Sequence, residues 1–193
     1  MCIRDRVRRG YREDCPVRLV VTNRMHSGRC MGLYDLGHDE STAWNLTIRP
    51  QVQAVMPQTD LLFWHGHGNR GNWSVFDGAS FGDRHPVVFS LSCLTGAYEG
   101  IYGAPESALR AGAAVFIGAT EVTPAYREHS RDFALQFFSR WTPGTSVGDA
   151  LLAAKAWAIE QYRTRPLESA ALNDYFLFVA YEYNLYGDPR YGG

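Results

Sequence analysis

The sequence predicts an α/β fold, with a mainly parallel sheet and helices on both faces. Three observations carry this. The runs "DLLFWHG" from Asp60, "PVVFSLSC" from Pro86 and "AAVFIGAT" from Ala113 are short and continuously apolar. Strands buried on both faces read this way, whereas a half-exposed strand alternates. Segments with helical periodicity lie between and after these runs, as strands crossing back through helices require. The first two runs also end in potentially reactive side chains, His65 and His67 on one and Cys93 on the other. Ligands of open α/β sheets bind beyond the carboxyl ends of the strands.

Taken in chain order, "PVRLVVTN" (16–23) reads as a first strand, because Val20 and Val21 favour extended backbone. Arg24 to Ser41 is rich in Gly, His and Asp and reads as a loop. "RPQVQAVM" (49–56) suits a short helix with Pro50 in its first turn, closed by Pro57 and Asp60. "APESALRAG" suits another, with Pro105 at a first helical position and Gly112 as its cap. In 124–141, Phe133, Phe137 and Trp141 fall on one helical face. Ser146 and Asp149 have capping-box spacing, and Leu151, Ala154 and Ala158 make the apolar face behind them. Leu172, Phe176, Val179 and Tyr183 mark a last amphipathic helix. It is expected to end at "NLYGDPRY", where Gly187 and Pro189 impose a turn.

A chain of 193 residues, 46% apolar, supports one hydrophobic core and one domain. The formal net charge of -1 gives no electrostatic case for binding nucleic acid or an anionic membrane surface. No apolar stretch reaches the ~18 residues of a membrane span. Residues 1–13 open with "MCIRDRVRRG", which has neither helical nor strand periodicity and no apolar segment behind it. They are expected to be an unstructured or artificial start, with the folded domain over 14–193. The four cysteines, Cys2, Cys15, Cys30 and Cys93, form no C-x-x-C pair and are too sparse for a disulfide framework. No phosphate-binding P-loop, G-x-x-x-x-G-K-[ST], is present.

The pairing of "HGHG" (65–68) with "SLSC" (90–93) is the chemical signal. Neighbouring strands lie ~4.8 Å apart, so groups at adjacent strand ends can meet. A cysteine nucleophile needs a base, or an imidazolium that favours the thiolate. Acyl transfer also needs N–H donors for the developing oxyanion. Gly68 offers one without a side chain in the way, and Cys93 offers its own. Against this stand the plainer readings of a buried core cysteine and a histidine plugging a strand end. Zinc is the rival chemistry, with His65 and His67 joined by His85 or Cys93. H-x-H supplies only two ligands, the nearest downstream acid is Asp77, and no H-E-x-x-H exists, so neither metal nor cofactor is expected. Ser90 and Ser92 flank the site, but neither lies in G-x-S-x-G.

The segments "HGHGNRGNW", "VVFSLSCLTG", "ESALRAGAAVFIGAT" and "NLYGDPRY" together resemble the catalytic part of the gingipain-type cysteine peptidases, from about Asp60 to Tyr191. The resemblance implies a caspase-like three-layer sandwich and a cysteine-type endopeptidase that works through a thioester. It places the catalytic histidine at His67 and the nucleophile at Cys93, with Gly68 and Cys93 supplying the oxyanion-hole amides. Trp73 matches a family tryptophan and is read as a wall of the site. Glu106 matches an acid expected to tie down its helix. Gly187, Asp188 and Pro189 match a closing turn without chemistry. Asp35, Asp39 and Glu40 are candidates for an acid that orients the histidine. The implied partner is a protein or peptide substrate, together with an N-terminal subdomain or propeptide ahead of this segment. Such peptidases are mostly bacterial and exported. The alternative is a non-catalytic scaffold or interaction domain of the same fold.

Overall fold

The computed structural model describes residues 18–23, 29–35, 49–65, 68, 70–71, 74–98, 103–123, 127–165 and 170–193. Six strands form one sheet: β1 (Arg18–Asn23), β2 (Arg29–Asp35), β3 (Leu61–His65), β4 (Val87–Leu91), β5 (Val115–Ala119) and β6 (Tyr183–Gly187). Their order is β2-β1-β3-β4-β5-β6. The three apolar runs are the three central strands, and they pair in parallel. Antiparallel strands extend both margins: β1 pairs with β2 and β3, and β6 pairs with β5.

Among the described residues, five α-helices accompany the sheet: α1 (Arg49–Val55), α2 (Ala104–Arg110), α3 (Arg127–Arg140), α4 (Val147–Thr164) and α5 (Ala170–Glu182). The central strands are apolar throughout because alternate residues serve two cores. Leu61, Phe63, Val87, Phe89, Val115 and Ile117 face α3, α4 and α5. Leu62, Val88 and Phe116 face the other way, against α1, α2 and the short 3-10 turns around Val75 and Phe81. Helix, sheet and helix thus form three layers.

Local chemistry explains the helix ends. Gly103 caps α2 with Pro105 in its first turn, and Gly112 leaves it at φ 100°, a conformation open to glycine. Ser146 caps α4: its Oγ accepts the Asp149 N–H at 3.1 Å and donates to the Asp149 carboxylate at 2.7 Å. The C-terminal turn completes that cap. The Gly148 N–H donates to the Pro189 carbonyl and the Val147 N–H to the Tyr191 carbonyl. The Gly187-Asp188-Pro189 segment therefore satisfies amides that the start of a helix would otherwise leave open. α3 buries Phe133 and Phe137, and Trp141 is buried just beyond its end against Phe137, as their spacing requires.

Two elements depart from expectation. The stretch read as a loop from Arg24 to Ser41 contains β2, paired along its length with β1. Its sequence, "RCMGLYD", is a marginal strand whose Gly32 weakens the signal. Tyr183 continues the helical period of Phe176 and Val179, yet α5 stops at Glu182 and Tyr183 begins β6. The open edge of β5 supplies the backbone partners that draw the chain into a strand there. Tyr183 stays fully buried, its ring stacked on Phe89 and Phe133. Among the described residues, no helix is long and apolar enough to cross a membrane.

Phe89 is the hub of the larger core. Its ring centroid lies 5.0 Å from Phe137, 5.3 Å from Phe138 and 5.9 Å from Phe63. Phe89→Ala is expected to cost about 3–5 kcal/mol, read as a lower urea midpoint at unchanged slope.

Candidate active site

The parallel register sets His65 opposite Leu91, so β3 and β4 end side by side. Beyond Leu91 the chain makes a tight turn, Ser92 to Gly96, with Cys93 at its start. Leu94 adopts φ 59°, a left-handed conformation costly for a residue with a β-carbon. Hydrogen bonds hold it there. The Leu94 N–H donates to the Glu121 carbonyl at 2.9 Å, and the Gly96 N–H to the Ala119 carbonyl at 2.7 Å. Buried Thr95 directs its hydroxyl to Ser90 Oγ at 2.7 Å and to the Ser92 carbonyl at 3.1 Å. From the edge strand, the Tyr186 hydroxyl donates to the Gly96 carbonyl across 90 positions of sequence.

Gly68 packs directly on this turn. A Cβ there would overlap the Cys93 carbonyl oxygen and stand 2.8 Å from both Ser92 Cβ and Thr95 Cγ2. The chain leaving β3 and the chain leaving β4 therefore touch at Gly68 and Cys93. His67, Gly66 and Trp73, along with the His65 side chain, lie outside the described residues. So do Asp39 and Glu40. Asp35 ends β2 in register with Arg18, and Arg18 pairs with His65. Asp35 is thus at the same edge of the sheet, two strands from His65.

Cys93 is partly buried and its thiol carries no disulfide. Sγ lies 3.7 Å from the Thr123 carbonyl. Burial pushes the thiol above its ordinary value; backbone bonding to Thr123 offsets part of this, and the Glu182 carboxyl pushes it further up. Among the described residues, no carbonyl takes the Cys93 N–H.

Ser90 and Ser92 are almost fully buried behind the turn, with the Ser90 hydroxyl engaged by Thr95. Of the three, Cys93 is the side chain that reaches the surface. His85 sits before the first residue of β4, its ring nitrogen 3.0 Å from the Gly112 carbonyl. That is the opposite end of the sheet from His65, which pairs with Leu91, so the length of β4 keeps His85 out of a zinc set with His65. Among the described residues, no group of three His, Cys, Asp or Glu is placed to hold a metal.

Glu106 occupies the first turn of α2, with both carboxyl oxygens buried and without a hydrogen bond. It folds back over Gly103, the residue that caps the helix. Burial, and to a lesser extent this carboxyl, raise the Tyr186 phenol above its usual range.

Thr123, Glu182 and Tyr186 surround the turn that carries Cys93 without any sequence motif to announce them. Glu182 is the most unusual. It is 3% exposed, neither carboxyl oxygen has a hydrogen bond, and its pKa is pushed up to about 8. Burial is the main cause and the Glu121 charge adds to it; the nearby Thr123 hydroxyl tempers the rise without reaching hydrogen-bond geometry. A charged residue three positions after buried Val179, on the inner face of α5, was the only hint.

No curated protein and no solved structure gave a match. Residues 24–191 match the family model for peptidase family C25, and with most of its length covered the chain belongs to this gingipain family of cysteine peptidases.

Proposed function

We propose that the chain is a cysteine-type endopeptidase of caspase-like fold, with Cys93 as nucleophile and His67 as its proton partner. The contact between Gly68 and the Cys93 turn carries this reading, since it puts the residue after His67 against the backbone of the nucleophile. The family membership supplies the reaction class.

In this mechanism the Cys93 thiolate attacks the carbonyl carbon of a peptide bond. The N–H groups of Gly68 and Cys93 donate hydrogen bonds to the developing oxyanion. The His67 imidazolium gives its proton to the leaving amine, and a thioester remains. Water then attacks the thioester, His67 takes its proton, and the Cys93 sulfur leaves. The raised thiol makes the imidazolium essential, because burial and Glu182 both oppose the thiolate. Asp35 is the candidate for orienting His67, and Trp73 for a wall of the cleft.

The same raised thiol favours a second reading, a non-catalytic scaffold with an inert cysteine. Alkylation of Cys93 by iodoacetamide in the full chain, resolved from Cys2, Cys15 and Cys30 by peptide mapping, separates the two. The peptidase reading expects reactivity below the free-thiol pKa of ~8.5 that is lost in His67→Ala. A folded protein whose Cys93 ignores His67 would be the scaffold. Cys93→Ser is expected to abolish cleavage of an unfolded protein substrate, whereas a serine hydrolase would be indifferent to it.

Gly68→Ala tests the geometry. The added methyl displaces either the Gly68 amide or the Cys93 carbonyl, so kcat/KM is expected to fall about a hundredfold, mainly through kcat. Wild-type turnover in a folded Gly68→Ala protein would remove Gly68 from the oxyanion hole.

A further inference from the structure

Glu182 is a costly feature that the peptidase mechanism does not use. A buried carboxyl normally finds hydrogen bonds or a cation. Here its two oxygens have no hydrogen bond, while the backbone around it is firmly held. The Glu182 carbonyl accepts the Thr120 N–H at 2.9 Å and the Thr120 hydroxyl at 3.1 Å, fixing the end of α5 to the end of β5. Thr123, three residues on, stands between the carboxyl and the nucleophile. Its carbonyl contacts the Cys93 thiol, and its own hydroxyl is buried without a partner beside Glu182.

The groups facing Glu182 make the arrangement consequential. Glu121, on the segment after β5, and Cys93, on the turn after β4, both act on it, and both add negative charge when ionised. β6 carries no charged residue. The basic side chains with described contacts on α5 meet it about two turns earlier: the His129 ring of α3 lies edge-on to Tyr175 and tilted against Phe176, and Arg165 lies over the Phe176 ring. α4, packed along α5, carries half-buried Lys155, whose ammonium burial disfavours. None of these is among the charges that act on Glu182 or Cys93.

We infer that Glu182 is a positioning residue for the nucleophile: it must remain a neutral acid while Cys93 ionises, because the pocket through Thr123 holds only one of the two negative charges. The inference rests on the peptidase reading of Cys93. Proton balance is simple. Below the shared titration both groups keep their protons. Loss of one proton gives either the thiolate or the carboxylate, and loss of the second is strongly opposed. Ionised Glu182 thus suppresses the thiolate at alkaline pH.

The test is the pH profile of Cys93 alkylation in the full chain, comparing native protein with Glu182→Gln and His67→Ala. Glutamine keeps the shape and removes the charge. Its profile is expected to move to lower pH, with alkylation about threefold faster or more near pH 9, the effect of a half-unit shift. The alkaline limb of peptidase activity should extend to higher pH at unchanged KM, because no carboxylate then forms to suppress the thiolate. Superimposed native and Glu182→Gln profiles would overturn the inference, while a changed His67→Ala profile would leave the peptidase reading standing. Should Glu182→Gln fail to fold, the coupling is read from the other side. The protonated-carboxyl infrared band of Glu182 is expected to titrate at lower pH in Cys93→Ala than in native protein. An unmoved band would equally overturn it.

Discussion

Parallel pairing of β3 with β4 is the constraint on which the rest of this molecule depends. A parallel ladder brings like ends together, so the chain leaves both strands at one edge of the sheet. Neither strand can slip by one residue, because Phe63 and Phe89 would then face the wrong core. The register therefore fixes where Gly68 meets Cys93, and the two cores that clamp the strands fix it more strongly than any contact in the site.

Against that rigid frame, the turn carrying Cys93 is strained and heavily braced. The left-handed Leu94 holds its place because Glu121, Ala119, Ser90 and Tyr186 restrain the turn from several directions. Small residues make the bracing possible. A Cβ on Gly96 would collide with the Gly118 carbonyl, and one on Gly118 would meet the Phe116 ring at 2.7 Å and press on the Gly96 nitrogen at 3.0 Å. β5 and its extension thus act as the floor of the site, although they supply no residue of the proposed dyad.

The environment of the thiol is set by opposition. Burial raises Cys93 and the neighbouring acid raises it further, so the described shell by itself favours the resting thiol. On the proposed mechanism, thiolate formation at Cys93 therefore depends on the His67 imidazolium, which has to offset both effects.

Much of the fold was legible in the sequence, and the reason is burial. The central strands serve two cores, so each had to be a continuous apolar run. α3 and α4 each bury a stripe at helical spacing, and Ser146 with Asp149 marked the start of α4 before any coordinate was known. The margins were not legible. β2 carries Gly32 and lies at the sheet edge, while β6 follows a helical stripe without a break. Only pairing with β1 and β5 makes them strands.

For the site, the sequence by itself determined the two strand ends and the chemistry available there, because H-G-H-G and S-L-S-C each terminate a buried run. What the tertiary structure alone decided is the company Cys93 keeps. Thr123, Glu182 and Tyr186 lie 30, 89 and 93 positions further along the chain. They come near Cys93 only because β5 pairs with β4 and β6 with β5, with α5 leading straight into β6. Side-chain type is written locally, but desolvation and electrostatic neighbours are properties of packing between distant segments. The sequence could therefore single out Cys93 but not the energy of its ionisation.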